Sequence, residues 1–362
     1  MKQSVKFAAA MGALTLALTA CAGNGNVAQQ SDEAKAELPF KACAVSDTGG
    51  WQDKSFNQSA YDGLMEAKSF LGVTVDTAES DTVEDFTSNV EKMVDDSCTL
   101  IIGVGFHLEP AVHESALKHT DRNYALIDST FSDGTNPVVL ENGRPLLFNT
   151  SEAAYLAGYA SAAMTKTGKV ATFGGAQIPA VTVFMDGFAD GVNAYNQAKG
   201  ASVQVLGWDK EAQTGAFTDS FDDQSLGLQQ AQQFISEGAD IIMPVAGPVG
   251  LGAAAAAKSN GNTLIVGVDT DWYEANPQYS SIVLTSVRKE IGAAVEQAIQ
   301  DSTKGKFTSD PYVGTLANGG VSLAPFHDFE AQVPMEVKQE ISKLTEQIKK
   351  GTLVIESENA PK

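Results

Sequence analysis

The residues of this chain that could bind a small molecule lie in short loops that follow runs of apolar residues. The first such loop, "GGWQDKSFNQ", places an aromatic ring and an amide side by side at Phe56 and Asn57. An aromatic ring can stack on a flat heterocycle, which contributes about 1–3 kcal/mol, and an amide both donates and accepts hydrogen bonds. The pair therefore predicts a site that recognises the face and the edge of a planar ligand. The alternative for Asn57 is that it caps the helix that follows.

A second aromatic residue, Phe217 in "TGAFTDS", lies in the corresponding loop of the second half of the chain. If the two halves face each other, Phe217 and Phe56 would hold a flat ligand between them. Loop aromatics also fold back over a core, and Phe184 and Phe188 are further candidates for the second ring. Their position inside a helical segment favours a role in the core.

Charged side chains and a glycine follow other predicted strands. Asp128 ends "YALIDS", Asp269 ends "TLIVGVD", and Lys289 follows in "TSVRKE". A carboxylate that accepts from two neighbouring hydroxyls is the device that dinucleotide-binding folds use for ribose, and a carboxylate can also accept from ring N–H or amino groups. Asp47 follows the first strand, and Gly247 in "PVAGPVGLG" would let the backbone approach a ligand closely. The alternative is that these are surface residues and turn formers.

Sequence motifs for several kinds of catalysis are absent. The chain contains no GxxxxGK[ST] phosphate-binding loop and no GxSxG nucleophile motif. Nothing in the sequence pairs the candidate carboxylates for acid–base chemistry. We therefore predict no catalytic residue, no metal ligand and no cofactor.

The elements that would position these residues alternate between short apolar runs and longer helical patterns. Continuous apolar runs rich in β-branched residues are typical of parallel strands covered on both faces, and several helical segments end at glycine. The alternation predicts an α/β fold with two doubly wound lobes whose loops meet at a cleft. The predicted strands are "KACAVSD", "TVDTAE", "TLIIGVG", "YALIDS", "LLFNTS", "KVATFGG", "SVQVLGW", "DIIMPVAG" and "TLIVGVD".

The length of the chain also favours two lobes, since about 320 residues are more than one ordinary core supports. We expect a first lobe of residues 39–148 plus about 286–312, and a second lobe of residues 149–285 plus about 313–360. The final part, "SSIVLTSVRKEIGAAVEQAIQ" and onward, would return a helix and a strand to the first lobe. The chain would then cross more than once between the lobes.

The first residues have the pattern of an export signal. Lys2 and Lys6 precede the apolar run "FAAAMGALTLALTA" and a polar stretch follows, which predicts a signal peptide over residues 1–20 rather than a membrane span. "LTAC" resembles a bacterial lipobox, in which the cysteine, here Cys21, becomes a lipid-carrying N-terminus. An ordinary secretory signal with a chance cysteine is the alternative. Residues 21–38 are small and polar and predict a flexible tether.

The charge of the chain limits its partners. The whole sequence has a formal net charge of −21, and removing residues 1–20 takes away two lysines and no acid, which gives −23. So acidic a protein would be repelled by nucleic acid and by anionic lipid. We therefore expect no nucleic-acid partner.

Two cysteines remain once Cys21 is assigned to lipid. Cys43 lies on the first predicted strand and Cys98 lies just before another strand, which could be its neighbour in a parallel sheet. In an exported chain an even pair is a possible disulfide. The alternative is two small buried residues.

Several of these motifs together resemble the basic membrane protein family. The matching stretches follow one another in consistent order from about residue 40 to 325. They are "DTGGWQDKSFNQSAYDG", "ALIDS", "GYASA", "FGG", "IPAVTVFMDGFADGV", "GAFTD", "GADIIMPVAGPVGLG" and "GVDTDW" followed by "TSVRKE". The chain departs from the family pattern at Trp51, where small or aliphatic residues are common, and the part after residue 325 is hard to align.

The resemblance implies a fold and a class of function. Members are lipid-anchored substrate-binding proteins of ABC transporters, including receptors for purine nucleosides, and their type I periplasmic-binding fold has a hinged cleft. It also implies a role for each matched residue in binding a nucleoside. Phe56 and Phe217 would stack on the base and Asn57 and Asp128 would bind its edge, while Asp269, Lys289 and the backbone near Gly247 would hold the ribose.

The resemblance further implies a location and partners. The protein would be a monomer held by lipid on the extracytoplasmic face of the cell membrane, and it would deliver its ligand to ABC permease subunits. Other possibilities are a receptor for a sugar or a signalling molecule on the same fold, and a surface nucleoside hydrolase that would use carboxylates such as those of "DSFDD" at 219–223. A DNA-binding regulator is disfavoured by the export signal and the acidity.

Overall fold

A computed structural model describes residues 40–361, which form two six-stranded sheets with helices on their faces. The predicted signal peptide, Cys21 and the tether up to residue 38 lie outside these residues. Among the helices between residues 40 and 361, none combines the length and the apolar character needed to cross a membrane.

The strands are short and are spread along the whole described segment. In chain order they are β1 Lys41–Val45, β2 Thr74–Ala78, β3 Leu100–Val104, β4 Asn123–Ile127, β5 Gly143–Phe148, β6 Lys169–Gly174, β7 Gln204–Leu206, β8 Trp208–Asp209, β9 Thr214–Gly215, β10 Ile241–Val245, β11 Leu264–Asp269, β12 Val283–Lys289, β13 Tyr312–Gly314 and β14 Val321–Leu323.

The helices alternate with these strands. In chain order they are α1 Phe56–Leu71, α2 Asp85–Asp95, α3 Glu109–Lys118, α4 Ser151–Met164, α5 Pro179–Lys199, α6 Gln224–Ser236, α7 Val249–Asn260, α8 Trp272–Ala275, α9 Ile291–Thr303 and α10 Met335–Lys349.

The sheet topology confirms the predicted fold class. The first sheet has the order β13-β5-β4-β3-β1-β2 and the second has the order β14-β12-β11-β10-β6-β7. Within these two sheets neighbouring strands are parallel except for β14, which is antiparallel to β12. The short strands β8 and β9 form a separate antiparallel pair. Every residue of β3 and of β10 is buried, as expected for apolar strands covered on both faces. Each sheet and its helices form one lobe of a doubly wound α/β fold.

The last third of the chain crosses between the lobes. The strand β12 pairs with β11 along its length and stays in the second sheet. The helix α9 then packs on the first lobe, where Gly292 lies so close to Gly63 of α1 that a Cβ on Gly63 would be 2.4 Å from the backbone of Gly292. The strand β13 pairs with β5. The crossings therefore follow Phe148, Lys289 and Gly314.

A disulfide bond joins Cys43 and Cys98, as the sequence suggested. Both side chains are fully buried, on β1 and just before β3, which is the neighbour of β1 in the sheet. The bond closes a separation of 55 residues in the chain. It therefore fastens the strand that leads to Asp47 and the first candidate loop.

Candidate functional site

A pocket lies between the two sheets, at the ends of the strands from which the candidate loops leave. The free space inside it is about 70 Å³, and about 610 Å³ when the open solvent at its mouth is counted. Residues from both lobes line it. Of the predicted binding residues, it brings together Asp47, Phe56, Asn57, Asp128, Gly247, Asp269 and Lys289.

The first wall of the pocket is held by a carboxylate that the sequence reasoning missed. The side chain of Asp53 is buried and accepts hydrogen bonds from the backbone N–H groups of Ser55 at 2.9 Å, Asn57 at 2.8 Å and Gln58 at 3.0 Å. It thus satisfies the free N–H groups of the first turn of α1. Burial raises the pKa of Asp53 to about 6. The available signal was an acidic residue three positions before Phe56, at the start of a helix.

The opposite wall does not contain Phe217. The backbone of this residue bridges to Gly174 of β6, and its ring packs edge-on against Trp208 with the ring centres 6.0 Å apart. The ring of Phe217 thus packs beside the indole of Trp208 and is not part of the pocket lining, so its contact with a ligand stays a prediction.

The aromatic residue from this loop that does line the pocket is Phe221, four positions later. Its ring centre is 6.1 Å from that of Phe106 of the first lobe, and its carbonyl accepts the N–H of Val249 at 3.3 Å. Phe184 also lines the pocket, while Phe188 is fully buried in the core. Phe221 lies inside "DSFDD", a segment in which acidic residues dominate and hide the aromatic signal.

One polar group of the pocket consists of Asp47 and Asn57, both from the first lobe. Asn57 Nδ2 donates to Asp47 Oδ1 at 2.6 Å, and the same oxygen accepts the N–H of Gly49 at 2.9 Å. Asn57 is only 2% exposed, and its Oδ1 atom has no hydrogen-bond partner among the described residues. Burial raises the pKa of Asp47, although the bonds from Asn57 and Gly49 oppose the shift. A buried acceptor without a partner is unusual, and here it belongs to a residue of the pocket wall.

The other polar group joins the two lobes. Lys289 of the second lobe forms an ion pair with Asp128 of the first, and its Nζ atom is 3.6 Å from Asp269 Oδ1. Burial raises the pKa of Asp128. Burial alone would lower the pKa of Lys289, but Asp128 and Asp269 outweigh it and raise the pKa above its ordinary value. Asp128 is thus grouped with Lys289 and Asp269, whereas the sequence-based assignment paired it with Asn57.

The backbone places the two aspartates of this group in equivalent positions. Asp128 follows β4 with a φ angle of 62°, and Asp269 ends β11 with a φ angle of 66°. Both angles lie in the left-handed region, which is uncommon for residues other than glycine and is more often tolerated by aspartate and asparagine. One such aspartate from each lobe therefore reaches the same lysine.

Aromatic rings surround the ammonium group of Lys289. Its Nζ atom is 5.3 Å from the ring centre of Phe56 and 5.0 Å from that of Phe184. A cation near ring faces gains a further attraction in a desolvated site. The lysine is therefore held by two carboxylates and by the apolar wall of the pocket, and its side chain is almost fully buried.

Direct contacts between the lobes show that the cleft is closed. Ser55 Oγ donates to Asp269 Oδ2 at 3.2 Å, and Thr270 Oγ1 donates to the carbonyl of Lys54 at 3.2 Å. The ion pair of Lys289 and the ring contact between Phe106 and Phe221 add to these. An opening motion would have to break all of these contacts.

The acidic segment "DSFDD" forms local turns. The side chain of Asp223 accepts the N–H of Ser225 and caps α6, and Ser220 Oγ donates to Asp222 at 2.7 Å. Within residues 40–361, no three His, Cys, Asp or Glu side chains are grouped so that they could hold a metal ion. The carboxylates of Asp222 and Asp223 therefore have structural partners in the turn.

Comparisons with known proteins agree with this architecture. The family model described as ABC transporter substrate-binding protein PnrA-like matches residues 40–358. The chain is 28% identical over 375 residues to the ABC transporter nucleoside-binding protein BmpA of Lactococcus lactis subsp. cremoris, which covers 99% of this chain and 100% of that protein. It is 30% identical over 303 residues to basic membrane protein A of Borreliella afzelii, which covers 83% of this chain and 86% of that protein.

A solved structure shares the fold. It is that of an ABC transporter solute-binding protein from Aeropyrum pernix K1, with a TM-score of 0.76 and 25% sequence identity over 87% of this chain and 93% of that chain. The match of the family model covers nearly all of the described residues, and the fold and the pocket between the lobes agree with it. The chain belongs to the PnrA-like family of ABC transporter substrate-binding proteins.

Proposed function

We propose that this protein binds a nucleoside, preferentially a purine nucleoside, in the pocket between its lobes and delivers it to the permease of an ABC importer. The observation that carries the proposal is that the pocket combines two polar groups with the aromatic rings of Phe56, Phe106 and Phe221. Asp47 and Asn57 form one group, and Asp128, Asp269 and Lys289 form the other. A nucleoside has the same division into a polar base edge, a flat face and a polar sugar.

The base would stack on the ring of Phe56, and its other face would meet the rings of Phe221 and Phe106. Its edge would face Asn57 Oδ1, the acceptor without a partner, and the carboxyl group of Asp47. A ring N–H or an amino group would supply the missing hydrogen bond. A purine offers a larger stacking area than a pyrimidine, which supports the purine preference.

The ribose would lie near the group that joins the lobes. Asp128 and Asp269 would accept hydrogen bonds from hydroxyls, and Lys289 would donate to a sugar oxygen. Gly247 lines the same pocket with a φ angle of 52°, and its lack of a side chain would let the backbone come close to the ligand.

The charge of the pocket supports a nucleoside rather than a nucleotide. The carboxylates of Asp128 and Asp269 already compensate the ammonium group of Lys289. Asp47 and Asp53 add further carboxyl groups, and no second lysine or arginine lines the described pocket. A phosphate would therefore enter a site with no spare positive charge, which is costly in a buried environment.

The lipid anchor and the permease belong to the same proposal. The family consists of ABC transporter substrate-binding proteins, and such proteins act outside the cytoplasm. "LTAC" at the predicted cleavage site supports lipid attachment at Cys21. We propose a monomer tethered by that lipid to the extracytoplasmic face of the cell membrane. Metabolic labelling with a radioactive fatty acid, compared between wild type and Cys21→Ala, tests the anchor.

Isothermal titration of the protein without residues 1–21 tests the ligand class. The protein should be unfolded and refolded first, because a tightly held ligand can copurify. We expect tight binding of guanosine, inosine or adenosine, weaker binding of uridine, and no marked gain from a 5′-phosphate. Phe56→Ala and Asp269→Ala should abolish binding, while Arg288→Met, a change on the same strand as Lys289, should not.

The opposite results would overturn the proposal in specific ways. Binding of free ribose in preference to nucleosides would identify a sugar receptor. A marked preference for AMP over adenosine would contradict the electrostatic argument. If chromatography detects free base released from inosine, the protein is a hydrolase.

A further inference from the structure

A buried carboxylate outside the pocket is bound entirely by hydrogen-bond donors. Asp186 of α5 is fully buried. Its Oδ1 atom accepts from Trp208 Nε1 at 2.9 Å and from Gln213 Nε2 at 3.2 Å. Its Oδ2 atom accepts from Ser357 Oγ at 2.6 Å and from Asn359 Nδ2 at 3.0 Å. Four donors around one carboxylate form a satisfied buried network, which rigidifies the elements it joins; these five residues are called the Asp186 network.

Two of these donors come from residues 353–361, here called the return segment. After α10 the chain runs back over the second lobe with Ile355 buried. Lys210 Nζ donates to the carbonyl of Glu356, and Asn359 Nδ2 also donates to Gln213 Oε1 at 2.9 Å. The return segment therefore binds the loop after β8 in addition to α5.

The contacts continue from Gln213 to the walls of the pocket. Gln177 Nε2 donates to the carbonyl of Gln213 at 2.6 Å, and Gln177 directly precedes Ile178, which lines the pocket. From Gln213 towards the C-terminus, the N–H of Ala216 donates to the carbonyl of Gly207 at 2.9 Å. The chain then continues to Phe221, which lines the pocket. Gln213 therefore lies between two stretches that supply apolar residues to the pocket.

The second route from Asp186 runs along its own helix. Phe184, two residues earlier on α5, lines the pocket and contacts the ammonium group of Lys289. The indole of Trp208, bound to Asp186, packs against Phe217 at the base of the loop that leads to Phe221. Two of the apolar parts that the second lobe contributes to the pocket, Phe184 and Phe221, are thus linked to one carboxylate.

We propose that Asn359 is a positioning residue for the ligand pocket, which acts through Asp186 and Gln213 to hold the 213–221 loop and the ring of Phe221. Asn359 does not line the pocket, so its effect on binding would be indirect. The consequence for affinity rests on the proposed nucleoside function, whereas the consequence for the loop does not.

Amide hydrogen exchange without ligand tests the loop directly. The N–H groups of Ala216, Thr218 and Ser220 are hydrogen-bonded, at 2.9, 3.0 and 3.2 Å, so their exchange reports local opening. Asn359→Ala should raise their exchange rates by about tenfold or more and leave the first lobe unchanged. Unchanged loop exchange would overturn the proposal.

A matched variant separates positioning from general stability. Lys199 binds Glu336 and Glu340 of α10 in the same lobe and makes no contact with the 213–221 loop. Lys199→Met should therefore lower the melting temperature without changing exchange in the loop. Equal loop exchange in the two variants would mean that Asn359 contributes only to overall stability, and it would also overturn the proposal.

A double-mutant cycle tests the link to the ligand. With the nucleoside that binds wild type most tightly, Asn359→Ala should weaken affinity about 3- to 10-fold, mainly through faster dissociation. In a Phe221→Ala background the same substitution should have little further effect, because its target ring is gone. Additive losses would overturn the link. If no nucleoside binds even the wild type, the proposed function fails while the exchange result still decides the role of Asn359.

Discussion

The two polar groups of the pocket differ in where their members come from. Asp47 and Asn57 are ten residues apart in the first lobe, on the loop after β1 and in the first turn of α1, and Asp53 binds that first turn. Asp128, Asp269 and Lys289 come from both lobes and from two sheets. The first group therefore exists before the lobes close, whereas the second is assembled only by closure.

This difference separates two tasks. A preformed group can discriminate between ligands at the first encounter, since its geometry does not depend on the other lobe. A group that forms on closure shifts the balance between open and closed states, because its contacts are present in only one of them. We expect changes in the first group to alter which ligand binds, and changes in the second to alter whether the cleft closes.

Lys289→Met should have the largest effect. It leaves Asp128 and Asp269 close together without a cation, and removing one partner of a buried ion pair costs about 3–5 kcal/mol. We expect affinity to fall at least about 100-fold and the unliganded protein to open, measured by titration and by the radius of gyration in small-angle X-ray scattering. Arg288→Met is the matched control, since Arg288 pairs with Glu290 and is partly exposed. If the Lys289→Met protein stays closed, the group of Asp128, Asp269 and Lys289 does not hold the lobes together.

Asn57→Ala should have a smaller and more selective effect. It removes the acceptor at the base edge, and a hydrogen bond contributes about 0.5–1.5 kcal/mol. We expect affinity for guanosine to fall about tenfold, with little change for purine riboside, which lacks the exocyclic groups. The radius of gyration of the unliganded protein should not change. Equal losses for the two ligands would mean that Asn57 does not face the base edge.

Phe221→Ala and Phe217→Ala should distinguish a ring that contacts the ligand from a ring that stabilises the fold. Loss of the Phe221 ring should weaken nucleoside binding about tenfold, in line with a stacking contribution of about 1–3 kcal/mol. Phe217→Ala should lower the melting temperature more and affinity less, because that ring packs against Trp208. Titration and thermal unfolding of both variants check this. The reverse pattern would restore Phe217 to the pocket.

The smallest expected effect concerns two first-lobe helices. Burial, a hydrogen bond that the protonated carboxyl group of Glu296 donates to Glu66, and the charge of Glu66 raise the pKa of Glu296 to about 7. Because the pKa is raised on folding, the pair contributes most stability below about pH 4.5 and loses it as the pH rises through 7. Since Glu66 is exposed and Glu296 is only partly buried, we expect Glu66→Gln to raise the free energy of unfolding by less than about 1 kcal/mol at pH 8, with no change in ligand affinity.

Thermal unfolding between pH 5 and 8 measures this effect. Glu84→Gln, directly before α2, serves as the control, because that side chain is exposed. A change in nucleoside affinity in Glu66→Gln would show that α1 and α9 do take part in closure.

The sequence predicted the first lobe's part of the site better than the second lobe's. Phe56 and Asn57 are placed by a short local motif, so their neighbours along the chain are enough to locate them. Phe221 follows a loop that bridges to Gly174 through Phe217. In our proposal this loop is also held by the Asp186 network, which includes a residue more than a hundred positions away, Asn359. Local pattern contains no information on such contacts.

The grouping of Asp128 was unpredictable for a related reason. Each strand could be recognised from its apolar run, and the α/β class followed from their alternation. Which aspartate meets Lys289 depends on the order of strands in each sheet and on the closure of two lobes. In the same way, β12 carried the apolar pattern of any buried strand, and only its pairing with β11 shows which sheet it joins.

The return of α9 and β13 to the first sheet has a consequence for biosynthesis. A chain is made from its N-terminus, and domains generally fold as units as they emerge. The first lobe cannot do so here, because Gly63 of α1 packs on Gly292 and β5 pairs with β13. Until residues 291–314 have been synthesised, one face of α1 and one edge of the first sheet lack their partners. The first lobe, although it begins first, must be completed after most of the second lobe's chain has been made.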